Sequence, residues 1–149
     1  MTTAWEEFQE RLIEKMKEIY SEAVVDHSMN PRNLGVPDKA DGHAVIKGPC
    51  GDTMGIWLKV KDDIILEANF TTDGCGTSIA SGSMITELAK GKKLVDAIQI
   101  GQQDVLGALG GLPEDHEHCA LLAANTLKEA VQNCIKLRNE PWEKAYEKH

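Results

Sequence analysis

The chain has 149 residues, 42% of them hydrophobic and 27% charged, with a formal net charge of −8. That length and mixture predict a single domain, 1–149, with a real core, and the surplus of acids argues against a nucleic-acid partner. No apolar run approaches the roughly 20 residues of a membrane span, and the start has no basic, apolar leader, so a cytoplasmic location and no membrane partner are expected.

Residues 3–28 read as one amphipathic helix. Trp5, Phe8, Leu12, Met16, Ile19 and Ala23 recur at three- and four-residue steps and share a face. Thr3 with Glu6 has the form of a capping box. Such a face packs on its own domain or binds a partner. Asn30-Pro31 ends the helix, because a residue before proline avoids helical geometry. His43–Lys47 is a short strand. Met54, Ile56, Leu58 and Val60 then alternate with Thr53, Gly55, Trp57 and Lys59, and Ile64, Leu66, Ala68 and Phe70 alternate with their neighbours. Two such runs around Lys61-Asp62-Asp63 predict an antiparallel hairpin with one face on helices.

After Phe70 the pattern turns helical. Thr77 or Ser78 is a candidate cap for a helix reaching about Lys90, with Gly91 as its stop. Its start, Ala80-Ser81-Gly82-Ser83, is small enough for close approach of a bulky group. Residues 94–98 and 102–109 form short helices, and Gly110-Gly111 breaks the second. Pro113, Glu114 and Asp115 suit the first turn of a last helix running to about Arg138. The final residues, 141–149, form a tail.

Cysteines in a reducing compartment are thiols or ligands rather than disulfides, with buried apolar packing as the plain alternative. Cys50, in Cys50-Gly51-Asp52, precedes a strand. Cys75, between Gly74 and Gly76, precedes a helix, and Cys119 follows His118 near the start of the last helix. Helix N-termini favour thiolates, which are both nucleophiles and metal ligands. Three thiols with Asp52 and His118 fit a zinc site or an iron–sulfur cluster with one weaker ligand. Cys119 as a nucleophile beside a His and an Asp is a third possibility, weakened because adjacent helical residues point about 100° apart. Cys134 lies about 22 Å further along the same helix and reads as core.

The ordered set Tyr20-Ser21-Glu22, Asp26-His27, Asn30-Pro31-Arg32-Asn33, Cys50-Gly51-Asp52, Gly74-Cys75-Gly76-Thr77-Ser78-Ile79-Ala80-Ser81 and His118-Cys119 resembles the IscU-type iron–sulfur cluster assembly scaffolds, similar to the N-terminal domain of NifU. The resemblance spans roughly residues 18–138. It implies an α+β fold, with a three-stranded antiparallel sheet covered by helices on one face, an amphipathic N-terminal helix over 1–28 and a long C-terminal helix. It implies a carrier rather than an enzyme. Cys50, Cys75, Cys119, Asp52 and His118 would hold iron, and then a labile [2Fe-2S] cluster. A cysteine desulfurase of IscS/NifS type would deliver persulfide sulfur, with Cys119 as acceptor, and the cluster would pass to recipient apo-proteins. A ferredoxin and a frataxin-like protein are further implied partners. Zinc is expected to compete for the same thiolates.

Two features depart from the family. Leu112-Pro113-Glu114-Asp115-His116 stands where chaperone-served scaffolds carry Leu-Pro-Pro-Val-Lys, so recognition by that dedicated chaperone is not expected. His116 replaces the family lysine, as a spare ligand or a solvated residue, and cluster formation is expected to survive its removal. The rival within the superfamily is the SufU-like, zinc-dependent sulfur acceptor. That group has an insertion between its second and third cysteines, which this chain has no room for, and lacks the Gly-Cys-Gly pattern.

Overall fold

Strands β1 (Gly42–Lys47), β2 (Thr53–Lys61) and β3 (Ile64–Thr72) form one antiparallel sheet in the order β1-β2-β3. Helices α1 (Ala4–Ile19) and α2 (Glu22–Met29) precede it, and α3 (Gly76–Ala89), α4 (Leu94–Ala97), α5 (Gln102–Leu109) and α6 (Glu117–Asn139) follow. A 3-10 turn, Glu114–His116, leads into α6. These elements come from a computed structural model that describes residues 3–139. The tail, with Trp142 and Tyr146, lies outside the described residues.

The expected hairpin is present, and its buried face carries Met54, Ile56, Leu58, Ala68 and Phe70. The alternation in β3 breaks at one point. Lys59 pairs with Glu67 but Val60 pairs with Ile65, so Leu66 is an extra residue in a bulge. Ile65 is therefore fully buried and Leu66 half exposed, the reverse of strict alternation from Ile64.

Helices α6 and α3 cover the inner face. α3 is short of bulk by design of its sequence: Ala80, Ser81, Gly82 and Ser83 are all buried, and a Cβ on Gly82 would lie 2.3 Å from the Phe70 ring. The buried hydroxyls of Ser81 and Thr86 donate to carbonyls one turn back, which satisfies them without outside partners. α6 buries Leu122, Leu127, Val131 and Leu137 along one stripe.

The single helix expected over 3–28 is two helices. Tyr20 is extended, and the Ser21 hydroxyl accepts from Val24 N–H to start α2 afresh. The same hydroxyl donates to the Leu109 carbonyl, which ties the break to α5. α1 buries none of its residues; Trp5, Phe8, Leu12 and Ile19 are exposed. Most of its apolar face is left open, although Met16 is half-buried beside Tyr20 and Val24, and Trp5 and Phe8 stack on each other. The Thr3 hydroxyl accepts from Glu6 N–H, so the N-terminal cap is present.

The motif after the break works as a strut. Asp26 pairs with Arg32 at 2.6 Å, and the Ser83 hydroxyl meets both His27 Nδ1, at 2.7 Å, and Arg32 N–H. Asn33 donates to Thr86. Residues 33–35 exchange backbone bonds with Phe70 and cover the outer edge of β3. No helix among the described residues is long and apolar enough to cross a membrane.

Candidate metal centre at one end of the sheet

Three connections meet where β2 begins. The first is the β1–β2 loop, closed by Gly48 N–H to the Asp52 carbonyl at 2.8 Å. Gly51 within it has φ +94°, a conformation that suits glycine and lets the chain turn between Cys50 and Asp52. The second is the β3–α3 connection. Thr53 N–H donates to the Asp73 carboxylate at 2.7 Å, Thr72 donates to the Thr53 carbonyl, and Gly74 N–H donates to Thr72. The third is the start of α6.

Cys50 and Cys75 are exposed at this end, whereas Cys119 is buried. One ligand atom each from Cys50, Asp52 and His118 lies within 4.8 Å of the others. Cys75 and Cys119 join that group through two hydroxyls. Thr77 Oγ1 is 3.1 Å from Cys75 Sγ and 3.4 Å from Cys119 Sγ. Ser78 Oγ is 3.4 Å from Cys119 Sγ and donates to Asp52 Oδ2 at 3.1 Å. Gly74 makes the last contact possible, since a Cβ there would lie 2.4 Å from Ser78 Oγ and 2.9 Å from Asp52 Oδ2.

All five sequence-derived site residues thus come to one place. Thr77 or Ser78 was expected as the helix cap; instead Cys75 is the N-cap residue, and Thr77 and Ser78 turn their hydroxyls onto the thiols. Their sequence signal is the position two and three residues past a capping cysteine, in the first turn. His118 Nε2 lies 3.7 Å from Cys119 Sγ, so adjacency on a helix does not keep these two apart. His116 has Nδ1 3.3 Å from Thr77 Oγ1 and its ring stacked on that of His118, with centroids 6.4 Å apart, but it is not part of the Cys50–Asp52–His118 group. Cys134 is buried in α6, away from this end, as expected.

The two hydroxyl-linked thiols differ. Partial burial works against the Cys75 thiolate, but hydrogen bonds from the Thr77 hydroxyl and from the Thr77 and Ser78 amides outweigh it and lower its pKa. Burial raises the pKa of Cys119; the Ser78 and Thr77 hydroxyls oppose the rise, and the charges of Cys75 and Asp52 add to it. The donor set combines soft sulfur with one imidazole and one carboxylate, which suits zinc or iron–sulfur species over hard cations.

A domain of this fold, with thiols, acid and imidazole gathered at one open end, has the form of a metal-handling carrier. The sequence pattern described as "NifU-like N terminal domain" matches residues 19–140, and the chain belongs to that family. It is similar to the iron-sulfur cluster assembly scaffold protein IscU 1 of Archaeoglobus fulgidus, with 47% identity over 76% of this chain and 74% of that protein. Among solved structures it resembles an N-terminal NifU-like protein from Brucella abortus, at TM-score 0.63 and 17% identity, over 81% of this chain and 97% of the other. It also resembles a SUF-system scaffold protein from Fervidobacterium islandicum AW-1, at TM-score 0.62 and 24% identity, over 76% of this chain and 97% of the other. Those two likenesses bear on the fold alone.

Proposed function

We propose that this protein is a scaffold on which a labile [2Fe-2S] cluster is built from iron and desulfurase-delivered sulfur, then passed to apo-proteins. The observation that carries this reading is the convergence of Cys50, Cys75, Cys119, Asp52 and His118 at one end, with two thiols open to solvent. The name of the Archaeoglobus relative supports it. Cys50, Cys75 and Cys119 supply thiolates, and Asp52 or His118 supplies the fourth ligand. The cluster is cargo. An open edge with one weaker ligand releases it more readily than a closed four-cysteine cage would. In this reading the chain acts as one cytoplasmic domain and is not itself an enzyme. It works with a cysteine desulfurase and recipient proteins, and with a ferredoxin and a frataxin-like protein as further partners. Glu114 and Asp115 stand where the chaperone-recognition sequence would be, so no dedicated chaperone is assigned.

A second reading has one observation in its favour. Cys50, Asp52 and His118 already offer ligand atoms close enough for a single ion, as a zinc-dependent sulfur acceptor would need. Anaerobic reconstitution with ferrous iron, L-cysteine and a cysteine desulfurase, followed by transfer to an apo-ferredoxin, separates the two. The scaffold gives a cluster that forms and leaves. Tightly held zinc, a persulfide and no cluster would replace it with the sulfur acceptor.

A further inference from the structure

A cavity of about 320 Å³ lies where β2 ends, between the β2–β3 turn, the start of α4 and the last turns of α6. The metal centre sits where β2 begins, about 25 Å away along that nine-residue strand. The volume falls within the range of small-ligand sites, roughly 300–1,000 Å³. Val60, Leu94 and Leu137 give the cavity an apolar lining, with the Cys134 thiol among them. Its charge is one-sided. Asp41, Asp62 and Asp63 line it against a single cation, Arg138. That guanidinium is paired with Asp63 at 2.5 Å, and the Asp41 carboxylate accepts from Val60 N–H at 2.8 Å. Among the described residues Asp62 makes no ion pair. The end of α6 adds partial negative charge through its last carbonyls. Lys61 and Lys93 are neighbours in sequence but do not line the cavity.

The three carboxylates do not make a metal site. Among the described residues, the Cys, His, Asp and Glu ligand atoms close enough to share one ion are those of Cys50, Asp52 and His118, so the acids of the cavity do not converge on one point. An apolar interior behind a spread of negative charge calls instead for a cation with a hydrocarbon body. We propose that this cavity binds a primary alkylamine, with its hydrocarbon chain against Val60, Leu94 and Leu137 and its ammonium at the carboxylates. Asp62, which no other side chain engages by an ion pair among the described residues, supplies the charge-assisted hydrogen bond; Asp41 and Asp63 add to the field. The site does not rest on the scaffold reading, and the amine touches none of the residues at the metal centre.

The test titrates hexylammonium into the full chain, with hexanoate and hexanol as probes of the same body and different charge. Amide NMR shifts report the place of binding. The rate of iodoacetamide alkylation of Cys134, read by peptide mass spectrometry, reports filling of the cavity. Hexylammonium should move the amides of Asp62, Leu94 and Leu137 saturably, and should slow alkylation of Cys134 but not of Cys50. Hexanoate should do neither, and hexanol should bind about tenfold more weakly. Asp62→Asn should weaken amine binding by about tenfold and leave the fold intact, since asparagine accepts the positive φ of this turn position. Added salt should weaken binding to the wild type. Equal binding of the three probes would reduce the cavity to a greasy void, and Mg²⁺ giving the same shifts would make it a metal site. Either result overturns the proposal, as would shifts confined to Cys50 and Cys75, no binding of the amine, or an Asp62→Asn variant that binds it as wild type does.

Discussion

The two ends of α6 each carry a buried cysteine, and they have little else in common. Cys119, in the first turn, lies within reach of the Thr77 and Ser78 hydroxyls and the His118 imidazole, and it feels the charge of Asp52. Cys134, near the other end, lies in the hydrophobic core. β1 passes so close that a Cβ on Gly42 would lie 2.3 Å from its sulfur. Both are nearly inaccessible, at 1% and 4% exposed. Burial therefore does not tell a thiol at the candidate site from one in the core. What marks Cys119 is the set of hydroxyl, imidazole and carboxylate groups gathered around its sulfur.

The largest effect expected from this contrast is on metal binding. Losing a partner that merely orients a ligand already costs about 10- to 100-fold in affinity. Cys119→Ser should therefore weaken Zn²⁺ binding by more than about a hundredfold, read by chelator competition, while Cys134→Ser leaves it nearly unchanged. Equal losses in both variants would erase the distinction.

At the other end the expected loss is in stability. A Cβ on Gly42 would also lie 2.7 and 2.9 Å from the Cys134 backbone N and Cα, which cannot swing aside. Gly42→Ala should cost about 3 kcal/mol in denaturant unfolding, with metal affinity per folded molecule retained. A variant as stable as wild type would mean that β1 and α6 are less tightly apposed than described.

A smaller change sharpens the first end. Ser78→Ala removes the hydroxyl between Asp52 and Cys119 and should weaken Zn²⁺ binding by about tenfold with little change in folding. No change would reduce Ser78 to a spectator.

The smallest effect lies in the strut that holds α2 on α3. Burial lowers the pKa of His27, with the Arg32 charge adding to it and Asp26 and Glu87 opposing it. The unfolded chain then binds the proton more readily than the folded one. The stabilising contribution is present above about pH 6.5 and is lost as pH falls through the folded value. Urea midpoints should decline toward acid in wild type and less so in His27→Gln; identical slopes would remove His27 as the cause.

Much of this contrast was legible before folding, and the part that was not has a common cause. Alternation marked the β2–β3 hairpin, and the helix stops at Gly91 and Gly110 carry the positive φ expected of them. The Leu66 bulge was hidden, because alternation within one strand does not record which partner residue is skipped. Ser21 was a visible cap signal that the continuous apolar face of residues 5–23 masked. The cysteine set, with Asp52 and His118, was legible as residue types in order. The hydroxyl bridges were not, because they depend on how two helix ends and two loops face one another. The motif over residues 20–33 carried the family resemblance yet serves here to brace α2 and the β3 edge, so a recognisable residue need not be a site residue.

The central claim is that the Cys119 end of α6 builds a cluster and the Cys134 end does not. Mössbauer spectroscopy of the protein reconstituted anaerobically with ⁵⁷Fe, alongside Cys119→Ser and Cys134→Ser, tests it most directly. The account predicts the paired signal of a sulfur-ligated two-iron cluster in wild type and in Cys134→Ser, and its loss in Cys119→Ser. A cluster that survives Cys119→Ser, or disappears with Cys134→Ser, would contradict it.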